Sequence, residues 1–178
     1  MRSSKTKQMV LTAMLFATAM VLSILEGMLP LPIPVPGVRF GLSNIVVMYA
    51  LFFLNKRAAF SIAILKGVFA ALTRGVVAGF LSMAGGIFAL LAMSLFMTVW
   101  KEKGSYFFYS MIGAVSHNIG QFAAISIIYT NMALIYYLPV LLVSGMAAGL
   151  VTSILLKFIL PALQKLNLGE RLDDEEKK

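Results

Sequence analysis

The sequence predicts an all-α, polytopic membrane protein with six transmembrane helices, and three observations carry that prediction. Hydrophobic residues fill 60% of 178 positions and charged ones only 12%, far from the ordinary soluble mixture. The apolar stretches 8–29, 58–80, 81–100 and 106–129 each approach the roughly 20 residues that a helix needs to cross about 30 Å of hydrocarbon. Basic residues crowd alternate connections. Arg2, Lys5 and Lys7 precede the first segment, Lys56 and Arg57 separate the second and third, and Lys101 and Lys103 separate the fourth and fifth. Lys157, Lys165, Arg171, Lys177 and Lys178 close the chain, while the intervening loops hold only Arg39. By the positive-inside rule both termini face the cytoplasm of a bacterial cell membrane, and the net charge of +8 reflects topology rather than nucleic-acid binding. Residues 1–168 are expected to form one membrane domain, followed by a charged, disordered tail over 169–178.

Segment one is too long for the apolar core of a signal peptide and lacks a small-residue cleavage site, so it reads as retained. It ends where Pro30, Pro32, Pro34 and Pro36 stand at alternate positions, four of the six prolines in the chain. Each removes a backbone donor and forces its predecessor extended. Such backbone must cover protein or a water-filled cavity, so the loop over 30–37 is either an outer gate or a rigid connector. Segment two, 42–54, reaches only about 20 Å as a helix. A short helix leaves amides that favour negative charge pointing into the membrane, with Ser43 or Asn44 as its cap. A tilted helix frayed at Phe40 and Gly41 is the other reading. Segments three and four meet in a turn over 79–82. Trp100, Tyr106 and Tyr109 mark the inner interface, and Tyr129, Tyr136 and Tyr137 the outer one. Segment six opens near Pro139 and stops before Pro161.

Against this apolar background stand five ionisable side chains, Glu26, Arg39, Lys66, Arg74 and His117. A charge at mid-bilayer costs roughly 2.5–3.5 kcal/mol on insertion scales, so each is expected to be paired or to line a polar cavity. Four of the five are basic or potentially basic, which points to an anionic or electron-rich guest. Helical spacing puts Lys66, Ala70, Thr73 and Arg74 on one stripe of segment three. Gly113, His117, Gly120, Gln121 and Ala124 share a stripe of segment five, with Asn118 beside them. Glu26 ends segment one, Arg39 follows it, and Asn44 opens segment two. Together these residues predict a pocket opening outward, with Lys66 deepest. Simpler structural roles are a Glu26 ion pair with Arg74 or Arg39, a snorkelling Lys66, and an interhelical cluster of His117, Asn118 and Gln121. A Glu26 pair still leaves positive charge in excess.

Small residues four apart supply packing faces: Ala13 and Ala17 on segment one, Gly75 and Gly79 on three, Gly145 and Gly149 on six. Ala13 and Ala17 lie in the cytoplasmic half, where a partner can dock. Other chemistries find no residues. There is no cysteine and only one histidine, which leaves no disulfide, thiolate, zinc or bis-histidine haem site. No Gly-rich phosphate loop ends in Lys-Ser or Lys-Thr, and Asp173, Asp174, Glu175 and Glu176 form a solvated run. No resident cofactor, metal or autonomous catalysis is expected.

The run Pro34-Val35-Pro36-Gly37-Val38-Arg39-Phe40-Gly41-Leu42-Ser43-Asn44-Ile45, with Ala114-Val115-Ser116-His117-Asn118-Ile119-Gly120-Gln121, resembles the Gx transporter family, also called heptaprenyl diphosphate synthase component I. That family is similar to the substrate-binding S components of energy-coupling factor transporters. The resemblance implies six helices, an outward pocket, a gating loop between helices one and two, and docking of a coupling subunit on Ala13 and Ala17. It also implies that ATP hydrolysis belongs to separate ATPases. The synthase name fits poorly, since prenyl diphosphate synthases use aspartate-rich motifs that this chain lacks, although an accessory role beside such enzymes is open. Similar members occur with flavin-linked extracytosolic electron-transfer proteins, which implies a flavoprotein partner as the alternative. An isoprenoid diphosphate, a flavin phosphate and a quinone-like head all suit the cationic pocket. The leading expectation is a substrate-binding and translocation subunit, with a quinone- or flavin-linked redox subunit as runner-up.

Overall fold

A computed structural model describes residues 2–28, 41–100, 105–129, 136 and 138–165 of the chain. The proline loop over 30–37, Arg39 and the tail over 169–178 lie outside the described residues. Six helices follow one another: α1 (Arg2–Met28), α2 (Leu42–Phe53), α3 (Lys56–Arg74), α4 (Val76–Trp100), α5 (Tyr106–Ile128) and α6 (Leu138–Lys165). Among the described residues α1, α4, α5 and α6 are long and apolar enough to cross a membrane. The chain is a multi-pass membrane protein. Consecutive helices from α2 to α6 pack as neighbours, α1 lies against α2 and α3, and α2 also reaches α4 and α6.

α2 is as short as its sequence predicts, at 12 residues. Ser43 and the unbroken run from Ile45 to Leu51 are buried on every face, which is the pattern of an interior helix rather than an amphipathic one. Its start corrects the expected cap. Neither Ser43 nor Asn44 caps it; Gly41 stands at the N-cap with φ 76° and no side-chain cap. At its other end aromatic rings fix α2 against α5: Phe52 meets Tyr106 and Tyr109 edge-on, each at 5.4 Å. Tyr109 is consequently only 2% exposed. Tyr109 is a core residue and not the interfacial anchor expected from its position near a helix end.

The α3–α4 turn also differs from expectation. Asn55 starts α3 by accepting a hydrogen bond from Ala58 N–H at 2.7 Å, and α3 stops at Arg74 because Gly75 adopts φ 95°. Glycine alone enters that region without steric cost. The turn therefore falls at Gly75, not at 79–82, and α4 begins three residues before Gly79. Gly79 instead permits close approach: a Cβ there would lie 2.4 Å from Ala71 Cβ on α3. The same device joins the next pairs. Gly85 and Gly120 bring α4 and α5 together against His117 and Phe88, and Gly145 and Gly149 bring α6 against Asn118 and Met111. Lipid offers helices little hydrophobic drive to associate, so close van der Waals packing at small residues holds the bundle. Finally, α6 runs through Pro161 to Lys165. A helical proline removes one backbone hydrogen bond without compelling termination.

Candidate functional site

A cavity of about 460 Å³ lies between the helices, within the roughly 300–1,000 Å³ of small-molecule sites. Its rim is set by chain ends that meet at one end of the bundle. Glu26 closes α1, Gly41 precedes α2, Arg74 ends α3, Val77 opens α4, and Tyr129 follows α5, all lining the cavity. Lys5, Lys7, Lys56 and Arg57 stand at the opposite helix ends. Arg74 is exposed there because Gly75 terminates its helix just beyond it.

Two polar contacts fasten the N-terminus of α2. Glu26, 4% exposed, accepts a hydrogen bond from the Gly41 N–H at 2.6 Å. Its carboxylate therefore sits at the positive end of the α2 dipole. That helix end is thus already met by a side chain of the protein itself. Three residues further on, Lys66 donates to Asn44 Oδ1. Lys66 is also 4% exposed, which places a buried ammonium on a side-chain carbonyl rather than snorkelling to the membrane surface.

The α5 stripe read from spacing coincides with the buried face of that helix: Gly113, His117, Gly120, Gln121 and Ala124 are all buried. His117 stands halfway along α5 with its ring against Gly85, and its Nδ1 makes no hydrogen bond among the described residues. Asn118 donates from Nδ2 to the Leu141 carbonyl on α6. Gln121, 9% exposed, faces the same space one turn nearer the rim. Glu26, Asn44, Lys66, Arg74, His117, Asn118 and Gln121 thus all line one cavity. Arg39 lies outside the described residues.

The space extends past Lys66 to Met93 and Ser110, so Lys66 does not mark its floor. Sequence reasoning missed Ser23, Ser82, Ser110 and Thr152, which also line it, and weighed Ser43 only as a helix cap. Two of these had a signal. Ser23 precedes Glu26 by three residues, and Gly145, Ala148 and Thr152 continue one stripe of α6 at intervals of three and four. Val47, Met48, Ala89 and Met93 give the interior an apolar wall. Methionine thioethers make such a wall adaptable to shape.

The family model for heptaprenyl diphosphate synthase component I matches residues 15–159. A solved S component of a bacterial ECF transporter superimposes with a TM-score of 0.69 over 91% of this chain and 98% of its own, at 19% identity. Likeness at that identity establishes the fold. Among curated proteins, none matches the chain.

Proposed function

The chain belongs to the heptaprenyl diphosphate synthase component I family, and we propose that it is a membrane substrate-binding subunit for a small molecule with a polar, electron-rich head. One observation carries this reading: a buried lysine, Lys66, shares an intramembrane cavity with His117, Asn118 and Gln121. An ionisable group at that depth is retained at an energetic cost, which a binding role explains. In this reading the guest enters past Arg74, which draws in negative charge at the rim. Lys66 then stabilises the electron-rich end, and the amides of Asn44, Asn118 and Gln121 with His117 fix orientation. The Val47, Met48 and Met93 wall receives the apolar part. Catalysis by this chain is no part of the reading.

Arg74→Ala is expected to weaken guest binding several-fold while leaving thermal stability within about 0.5 kcal/mol, the usual range for exposed sites. Equal loss of both in ligand-binding and melting assays would make Arg74 structural.

The likeness to an ECF transporter S component also supports a separate energy-coupling partner, with both termini cytoplasmic. Ala13 and Ala17 are exposed on α1, within a face that also exposes Met9, Val10, Met14 and Val21. Small side chains there let another helix approach closely. Replacing both alanines by leucine is expected to abolish copurification of such a partner and spare guest binding. Partner recovery at the wild-type level from the double variant would remove the docking assignment.

A further inference from the structure

The orientations of two side-chain amides specify the guest's head more narrowly than charge does. Leu141 contributes a carbonyl oxygen, which only accepts, so the Asn118 atom facing it is Nδ2. Lys66 carries only donors, so the Asn44 atom facing it is Oδ1. Both amides are fixed by the chemistry of their partners. Asn118 therefore turns Oδ1, an acceptor, away from α6 in a residue that lines the cavity. One turn along α5, Gln121 is buried, lines the same cavity and makes no hydrogen bond among the described residues. It offers one acceptor and two donor hydrogens.

We infer that the head of the guest carries an N–H or O–H donor next to a carbonyl or anionic acceptor, as in a lactam, an imide or a ring hydroxyl. This rests on the substrate-binding role proposed above and goes beyond it by requiring a donor. A head bearing only acceptors, such as a diphosphate or an oxidised quinone, satisfies Lys66. It sets lone pairs against Asn118 Oδ1 and leaves that acceptor unpaired. Leaving a polar group unpaired once a ligand covers it is the strongest basis for rejecting an otherwise similar ligand. The positive charge at Lys66 and Arg74 alone suggests an anion. The amides add that an anion lacking a donor is an incomplete fit.

The test uses the full-length protein in lipid nanodiscs and four probes of known chemistry. One is a heptyl-substituted 2-quinolone, whose lactam sets one N–H beside one carbonyl. Its N-methyl derivative keeps the carbonyl and loses the donor. Menadione and farnesyl diphosphate supply neutral and anionic heads with acceptors only. Calorimetric titration is expected to show the N–H quinolone binding at least about tenfold more tightly than the other three, the worth of one good buried hydrogen bond. Gln121→Met preserves side-chain length and breaks no hydrogen bond within the described residues, so it keeps the fold. It is expected to erase most of that preference. Asn118→Leu is expected to do the same, with Gln121→Met covering the case in which loss of the Leu141 contact disturbs α6.

Equal or tighter binding of the N-methyl quinolone, menadione or farnesyl diphosphate, unaffected by Gln121→Met, would overturn the donor requirement and leave the binding role standing. Failure of all four probes to bind would also overturn the head assigned here. The binding role itself is decided separately, by what the protein retains from its own membrane.

Discussion

Gly79→Val is expected to melt far below the wild-type protein, by the equivalent of 3 kcal/mol or more, at the upper end of overpacking effects and beyond. A Cβ at residue 79 would lie 2.4 Å from Ala71 Cβ and 2.8 Å from the Ala71 Cα and N. Two of those three atoms are backbone, so no rotamer change relieves the clash, and α3 must separate from α4. Because the pair is joined by a single turn residue at Gly75, the helices cannot splay without moving Arg74 and, two turns below, Lys66. Stability and guest binding are therefore expected to fall together. Gly27→Ala is the internal comparison. Nothing lies within 4 Å of a Cβ there, and alanine in a helix is favoured over glycine by about 0.5–1 kcal/mol. Thermal melting in detergent reads both. A Gly79→Val protein that melts with wild type would contradict the close α3–α4 contact.

Lys66→Met should leave the fold in place and reduce guest binding about tenfold to a hundredfold, the range of a charge-assisted hydrogen bond of roughly 1.5–3 kcal/mol. Methionine keeps the length of the lysine stem and removes the ammonium. Methionine also removes the desolvation penalty of a buried ammonium, which offsets part of the lost contact. Asn44 then loses its donor, a local cost that the cavity can offset with solvent. The split between intact melting and lost affinity is the signature expected of a residue kept for binding. A variant with unchanged affinity would assign Lys66 a packing role. Arg74→Ala acts in the same direction with less force, because Arg74 stands at the exposed rim and its charge is screened.

Much of the fold was legible because membrane helices advertise themselves by length and polarity. The brevity of α2 and the buried stripe of α5 followed directly from run length and helical spacing. The α3–α4 boundary did not. Hydropathy treats Gly75 and Gly79 alike, since both sit in an apolar run, and only the backbone reveals that one turns and the other packs. A local signal existed: a basic residue followed by glycine is a helix C-terminus pattern. The apolar residues on both sides of Arg74 and Gly75 mask it. Tyr109 was misplaced for a related reason. A tyrosine near a helix end resembles an interfacial anchor until its neighbours are known, and here they are Phe52 and Phe108.

The site was legible in its residues and not in its electrostatics. Glu26, Asn44, Lys66, Arg74, His117, Asn118 and Gln121 are the sparse polar positions of an apolar chain, and the bundle sets all of them on one cavity. Their pairing was not readable from spacing. The sequence suggests Glu26 beside Arg74 or Arg39; among the described residues its carboxyl accepts from the Gly41 N–H at the α2 terminus, and Arg39 lies outside them. Which end of each amide faces the cavity depends on contacts to Leu141 on α6 and Lys66 on α3, which are separated by 23 and 22 residues from their partners.

The most direct measurement is mass spectrometry of small molecules retained by the protein when gently purified from its native membrane, comparing wild type with Lys66→Met. A binding subunit predicts one discrete compound, present with wild type and depleted in the variant, whose head combines acceptor and donor groups. The same bulk lipids in both preparations, with no discrete compound, would contradict a substrate-binding role for the cavity.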